Sequence, residues 1–195
     1  MQRPGPTSVL RRVLKKEEVR SLGRRYFVAN AFDGTLTSIG IIVGAFLTGI
    51  DEGATVIAIG LGAAVGLGIS GIWSVWEIER AETSRRREEL EQAMLTTLDD
   101  TRLERDHRYT QLVLALAAGT GPVLAVIITL IPFLVVELGL SFGQAVLAAI
   151  GLGIALLGTI GAYMGYISKQ RWYVAALRMA LAGLVVAILS VFLPN

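Results

Sequence analysis

Apolar residues in this chain gather into five long blocks, about Tyr26 to Leu47, Ala54 to Trp76, Leu112 to Val136, Phe142 to Ile167 and Trp172 to Leu193. A helix needs about 20 mostly apolar residues to cross the roughly 30 Å hydrocarbon core of a bilayer, and each block is long enough. Only helices and closed barrels satisfy backbone hydrogen bonds in lipid, and the blocks lack the alternation of barrel strands, so the pattern predicts five transmembrane helices. Between the second and third blocks the pattern inverts: Glu77 to Arg108 holds ten of the sixteen acidic residues and seven basic ones. Trp73 and Trp76 mark a membrane interface, and no Gly or Pro follows until Gly119, so the second span is expected to run straight into a projecting helical hairpin. Its turn is expected around Thr96 to Asp100, where threonine and aspartate can cap a new helix. The reading is an all-α membrane protein in four segments: a basic N-terminal segment (1–25), spans one and two (26–76), a charged stalk (77–108) and spans three to five (109–195).

Composition agrees with a bilayer as the main solvent. The chain of 195 residues is 53% hydrophobic and 17% charged, against about 25% charged for soluble domains. The formal charge of +2 matters less than its placement. Eight basic residues precede the first span, seven lie between spans two and three, and three surround the start of span five, whereas the opposite side carries Asp51, Glu52 and Glu137. The positive-inside rule then puts the N-terminus and stalk in the cytoplasm and the C-terminus outside. These cations beside apolar spans point to anionic lipid and topology, and nucleic acid is not an expected partner. There is no cysteine, which excludes disulfides and thiolate metal ligands. The first apolar block is long for a signal-peptide core and is read as a retained span; with the short loops this gives the expectation of a prokaryotic plasma membrane.

Val9, Leu10, Val13 and Leu14 among basic residues fit either a short amphipathic helix on the inner leaflet or a disordered basic tail. Gly40 and Gly44, Gly62 and Gly66, and Gly161 and Gly165 have the small-xxx-small spacing that permits close helix approach, within the bundle or between two copies. Pro122 and Pro132 are expected to bend span three and free backbone carbonyls.

Candidate chemistry begins with Asp33, which lies eight residues beyond Arg25 and so about 12 Å further along the helix. A charge at depth costs about 2.5–3.5 kcal/mol even on permissive insertion scales, so an intramembrane carboxylate is by default a functional candidate that should not face lipid. Asn30, Asp33 and Thr37 form one polar stripe that could line an ion path. The alternative is a structural role, with Asp33 bonded to hydroxyls or paired with Arg24, Arg25 or Arg178. In the stalk, Glu79 and Glu82, Glu88 and Glu91, and Glu104 and His107 each share a helix face, and carboxylates with imidazole at that spacing suit divalent first-row metals. The plain alternative is a solvated face with pairs such as Arg85–Glu89 and Arg87–Glu91, and His107 as an interfacial residue. No Walker loop, nucleophile elbow or His-Glu-x-x-His motif is present, so an enzyme is not expected.

Three stretches together, Phe32-Asp33-Gly34-Thr35-Leu36-Thr37, Glu77-Ile78-Glu79-Arg80-Ala81-Glu82 and Ile131-Pro132-Phe133, resemble the vacuolar iron transporter family over about Arg24 to Leu193. The resemblance implies five-span homodimers that move ferrous and related divalent ions out of the cytosol in exchange for protons, with no tightly bound cofactor. It implies that Asp33-Gly34 belongs to the translocation path. It also implies that Glu79, Glu82, Glu88, Glu89 and Glu91 on the first stalk helix, with Glu104 on the second, collect metal, and that Met94 matches the methionines of that region. The chain departs from the family in span two, where a glutamate and a methionine are expected and Ala63 and Gly71 stand near those positions. The expected function is therefore export of ferrous or manganous ion, with metal ions, protons, the lipid bilayer and a second copy as partners. The rival expectations are a non-transporting scaffold or metal sensor acting through the stalk, and oxidation of ferrous ion at paired stalk metals.

Overall fold

The computed structural model describes residues 6–95, 102–136 and 139–192, excepting the side chains of residues 6, 7 and 102–105. Six helices follow in order: α1 Pro6–Lys15, α2 Glu17–Leu47, α3 Gly53–Met94, α4 Arg102–Leu134, α5 Phe142–Ile167 and α6 Trp172–Val191. Helices α2 to α6 are each long and apolar enough to cross a membrane, which makes this an integral membrane protein of five spans. Span two does continue unbroken into the stalk: α3 runs 42 residues, about 63 Å at 1.5 Å per residue and far more than a bilayer core needs. The expected turn at Thr96 to Asp100 and the side chain of Glu104 lie outside the described residues, as does Glu137.

Helix α4 occupies the centre and packs along both α2 and α3, which touch each other far less. It stays helical through Pro122 and Pro132. Its small residues let neighbouring backbones close in, which matters in lipid because packing contact, not exclusion of water, holds spans together. One core cluster joins Ile42, Val56, Val126, Phe133 and Ala149 from four spans. Another holds Ile39, Val43 and Leu157, with Met179 and Val186 of α6 against it. The partner of the Gly161/Gly165 pair is now clear. A Cβ at Gly161 would lie 2.5 Å from the Ala175 carbonyl oxygen, and one at Gly165 2.8 Å from the Trp172 Cα, so this pair is the seam between α5 and α6.

The N-terminal segment forms the expected short helix but seats its apolar side on the protein. Residues 6–15 are helical rather than a tail, and α2 starts at Glu17, well before Tyr26. Val9 and Val13 do not face a leaflet; they are buried with Val19, Val75, Leu114 and Ala118 at the stalk end of the bundle. Leu10 and Leu14 remain exposed. The helix is pinned by Asp106 of α4, which takes Lys16 at 2.9 Å and Arg12 at 3.6 Å. The Asp106 side chain is only 14% exposed, so this double pairing compensates a largely desolvated carboxylate.

Candidate functional site

The polar stripe on α2 divides on folding. Asn30 is half-buried and donates from its amide to the Tyr26 carbonyl oxygen at 2.8 Å. Gly34 is buried under α4, where a Cβ would lie 2.6 Å from the Pro122 Cα, so its lack of a side chain lets α2 and α4 cross. Thr35 is also buried and returns its hydroxyl to the Ala31 carbonyl oxygen, while Ser38 bonds Thr129 across the α2–α4 seam. Asp33 and Thr37 point the other way and are exposed. Among the described residues no ion pair joins Asp33 to Arg24, Arg25 or Arg178, the partners a structural role would have used.

Close to this stripe the chain assembles oxygen acceptors that the residue pattern does not announce. Pro122 has no N–H, so the carbonyl of Ala118 one turn earlier loses its i+4 donor. That carbonyl lies against Gly71 of α3. A Cβ at Gly71 would stand 2.9 Å from the Ala118 oxygen and 3.3 Å from the Asn30 Oδ1. Only a glycine allows α3 to approach these two oxygens, which accounts for Gly71 where a methionine was expected from the resemblance. Ala63 is half-buried.

The outer face of α3 is lined by small residues at four-residue intervals: Ala54, Ala58, Gly62, Gly66, Ser70 and Ser74, all exposed. A Cβ at Gly62 or Gly66 would meet nothing within 4 Å. The same holds for Gly44, whereas Gly40 has Ser190 at 3.8 Å.

At the stalk base α2, α3 and α4 enclose a cleft of about 340 Å³ whose lining includes Glu18, Tyr26, Glu79, Glu82, Arg86 and His107. The Tyr26 hydroxyl donates to the Glu79 carboxylate at 2.9 Å. Buried Gln111 donates to Thr83 Oγ1 at 3.3 Å and to the Glu79 carbonyl oxygen at 3.5 Å, tying the two stalk helices. Arg86 reaches Glu82 at 3.2 Å and Glu18 at 3.6 Å. Burial, followed by the charges of Lys16 and Arg86, holds the His107 imidazole below its ordinary value, which favours the neutral form that binds metal.

Of the stalk residues singled out in the sequence, the fold thus brings Glu79, Glu82 and His107 to one cleft. Glu88, Glu89 and Glu91 do not line it. Glu89 accepts from Arg85 at 3.1 Å and Glu91 from Arg87 at 2.8 Å, the one-turn pairs of a charged helical face. Among the described residues no three carboxylate or imidazole groups are poised to hold one ion. Glu18, Tyr26 and Gln111 were missed in the sequence. Only the aromatic position of Tyr26 at a span boundary hinted at an interfacial role.

Comparison with known proteins adds two findings. The family model described as the VIT family matches residues 75–194, more than half of the chain, from the end of span two through the stalk and the last three spans. The chain is also 28% identical over 170 residues to an uncharacterized protein of Methanocaldococcus jannaschii, an alignment that covers 86% of each.

Proposed function

This chain belongs to the VIT family of membrane transporters, and from that premise we propose that it carries divalent metal ions, ferrous or manganous, out of the cytosol as a homodimer in exchange for protons. The observation that carries the reading is the position of Asp33, a carboxylate inside a spanning helix that the lone chain leaves exposed. Facing lipid, such a charge costs about 2.5–3.5 kcal/mol or more. A second copy seated on the outer faces of α2 and α3 takes Asp33 away from lipid, and the small-residue row on α3 permits that approach. In a two-fold arrangement a patch meets itself, so two Asp33 carboxylates come to line one path. Like charges brought together are relieved by a divalent cation, and the Thr37 hydroxyl, exposed one turn along α2 from Asp33, is a further hard donor. A metal displaces protons from its ligands, so alternate loading by metal and proton gives exchange.

The basic residues at the stalk end orient that end towards the cytoplasm, so the cleft with Glu79, Glu82 and His107 stands at the cytosolic entrance. The test is uptake of ferrous and manganous ion into proteoliposomes containing a fluorescent metal reporter, with an imposed pH gradient. Wild-type protein is expected to give gradient-dependent flux and Asp33→Asn, inserted and folded, none above empty vesicles. Undiminished flux from Asp33→Asn would end the role assigned to this residue.

A scaffold or metal-sensor role has its own support: the arginines engage Glu82, Glu89 and Glu91, and Leu90, Met94 and Leu95 are exposed on the stalk. Stalk truncation separates the readings, because a transporter retains some flux at high metal concentration whereas a scaffold loses its partner.

A further inference from the structure

Away from Asp33, a groove of about 600 Å³ opens between α2, α4 and α5. Arg24 lines it; nine residues, about two and a half turns, separate Arg24 from Asp33 and put them on opposite sides of α2. The groove is amphipathic along its length. At the stalk end stand the Arg24 guanidinium and Tyr163, near the C-terminus of α5. Deeper in, the walls are Phe27, Val28, Ala117 and Ile160. Two threonines also line the deep part, but Thr120 donates to the Leu116 carbonyl oxygen at 2.9 Å and Thr159 to that of Ala155 at 2.8 Å. Their hydroxyls are thus engaged within their own helices. Among the described residues no carboxylate pairs with Arg24. Exposed Arg20 lies one turn away on the same face.

We propose that this groove binds one membrane phospholipid with an anionic headgroup. The lipid phosphate sits at Arg24, with the Tyr163 phenol beside it, and one acyl chain descends along Phe27, Val28 and Ile160. A basic recess between spans recognises an anionic headgroup by charge, and an aromatic ring at the same level is suited to the interface. The apolar run below excludes a free phosphate as the natural occupant, since a soluble anion would use only the upper end. Net charge favours phosphatidylglycerol over phosphatidylcholine, which carries its own cation.

Native mass spectrometry of the full chain in detergent, titrated separately with dioleoyl phosphatidylglycerol and dioleoyl phosphatidylcholine, tests this. Wild-type protein is expected to retain one phosphatidylglycerol with at least fivefold preference. Arg24→Gln should weaken that lipid about fivefold, the loss of one interfacial cation. Thr120→Phe and Thr159→Phe, at exposed positions on opposite walls, should block both lipids, with helicity and thermal midpoint unchanged. Arg25→Gln removes the same charge outside the groove and should leave binding intact. Phosphatidylglycerol binding that survives both Arg24→Gln and the two filling variants would overturn the proposal. So would equal weakening by Arg25→Gln, which means diffuse attraction to the surface, or displacement of the lipid by an equal concentration of glycerol 3-phosphate, which means a headgroup-only site.

Discussion

Two glycine pairs with the same spacing meet different fates in this molecule. On α5, Gly161 and Gly165 lie under the backbone of α6; on α3, Gly62 and Gly66 have nothing above them. In lipid there is little hydrophobic drive between helices, so a small-residue face is useful only if another surface lies against it at van der Waals distance. The closed pair shows what such a face achieves within the chain, because α6 buries little beyond Gly183 and depends on that seam. The open pair is the same device without its counterpart among the described residues.

The largest effect expected from this contrast is on folding. Gly161→Leu forces a side chain into backbone atoms of α6 and should destabilise by about 3 kcal/mol or more, which for a chain of this size lowers the thermal midpoint by roughly 10 °C. Gly62→Leu places the same bulk over open space and should leave the midpoint of the monomer nearly unchanged while abolishing the proposed dimer in light scattering. Equal destabilisation by both substitutions would erase the distinction between the two faces.

Cross-linking sharpens the same point without adding bulk. Because the chain has no cysteine, a single one reports on one position. Gly66→Cys should give mostly covalent dimer on mild oxidation in membranes, while Leu184→Cys, on the exposed side of α6, should stay monomeric. The reverse pattern would move the proposed dimer contact to α6.

The contrast also marks how much was legible in the sequence. Spans were, because hydropathy reports the solvent of a segment directly: the blocks from Phe142 to Ile167 and from Trp172 begin as α5 and α6 do. The unbroken passage from span two into the stalk followed from the missing glycines and prolines. Partners were not legible. An amphipathic pattern says that Val9 and Val13 need an apolar neighbour, and both a leaflet and Leu114 qualify. Asp33 was visible as a buried-charge problem, but the side of α2 it takes depends on α4 covering Gly34, which no local pattern encodes. Asp106 reaching Arg12 and Lys16, and Tyr26 reaching Glu79, join residues far apart in the chain.

The stalk carries a second version of the contrast, between carboxylates of one helix that face the cleft and those that face away. Removing the donor to Glu79 by Tyr26→Phe leaves a half-buried carboxylate without its phenol, a loss of about 1–3 kcal/mol for a hydrogen bond to a charged group. The thermal midpoint should fall by a few degrees, and manganous ion binding by the purified protein should change with it. An unaltered midpoint would mean that water replaces the phenol freely.

The smallest effect belongs to Glu89, and its smallness is informative. Its side chain is 62% exposed and its partner Arg85 74%, so water and salt screen the pair and either side chain can leave it at little cost. Glu89→Gln should leave the thermal midpoint unchanged within error at low and high salt alike. The same holds for metal if the cleft is where metal gathers: manganous ion titrated into Glu89→Gln should bind as in the wild type, while Glu79→Gln weakens it. Should Glu89→Gln weaken binding as much, the outer face would be collecting ions despite its arginines, and the one-turn pairs there would have to open as metal arrives.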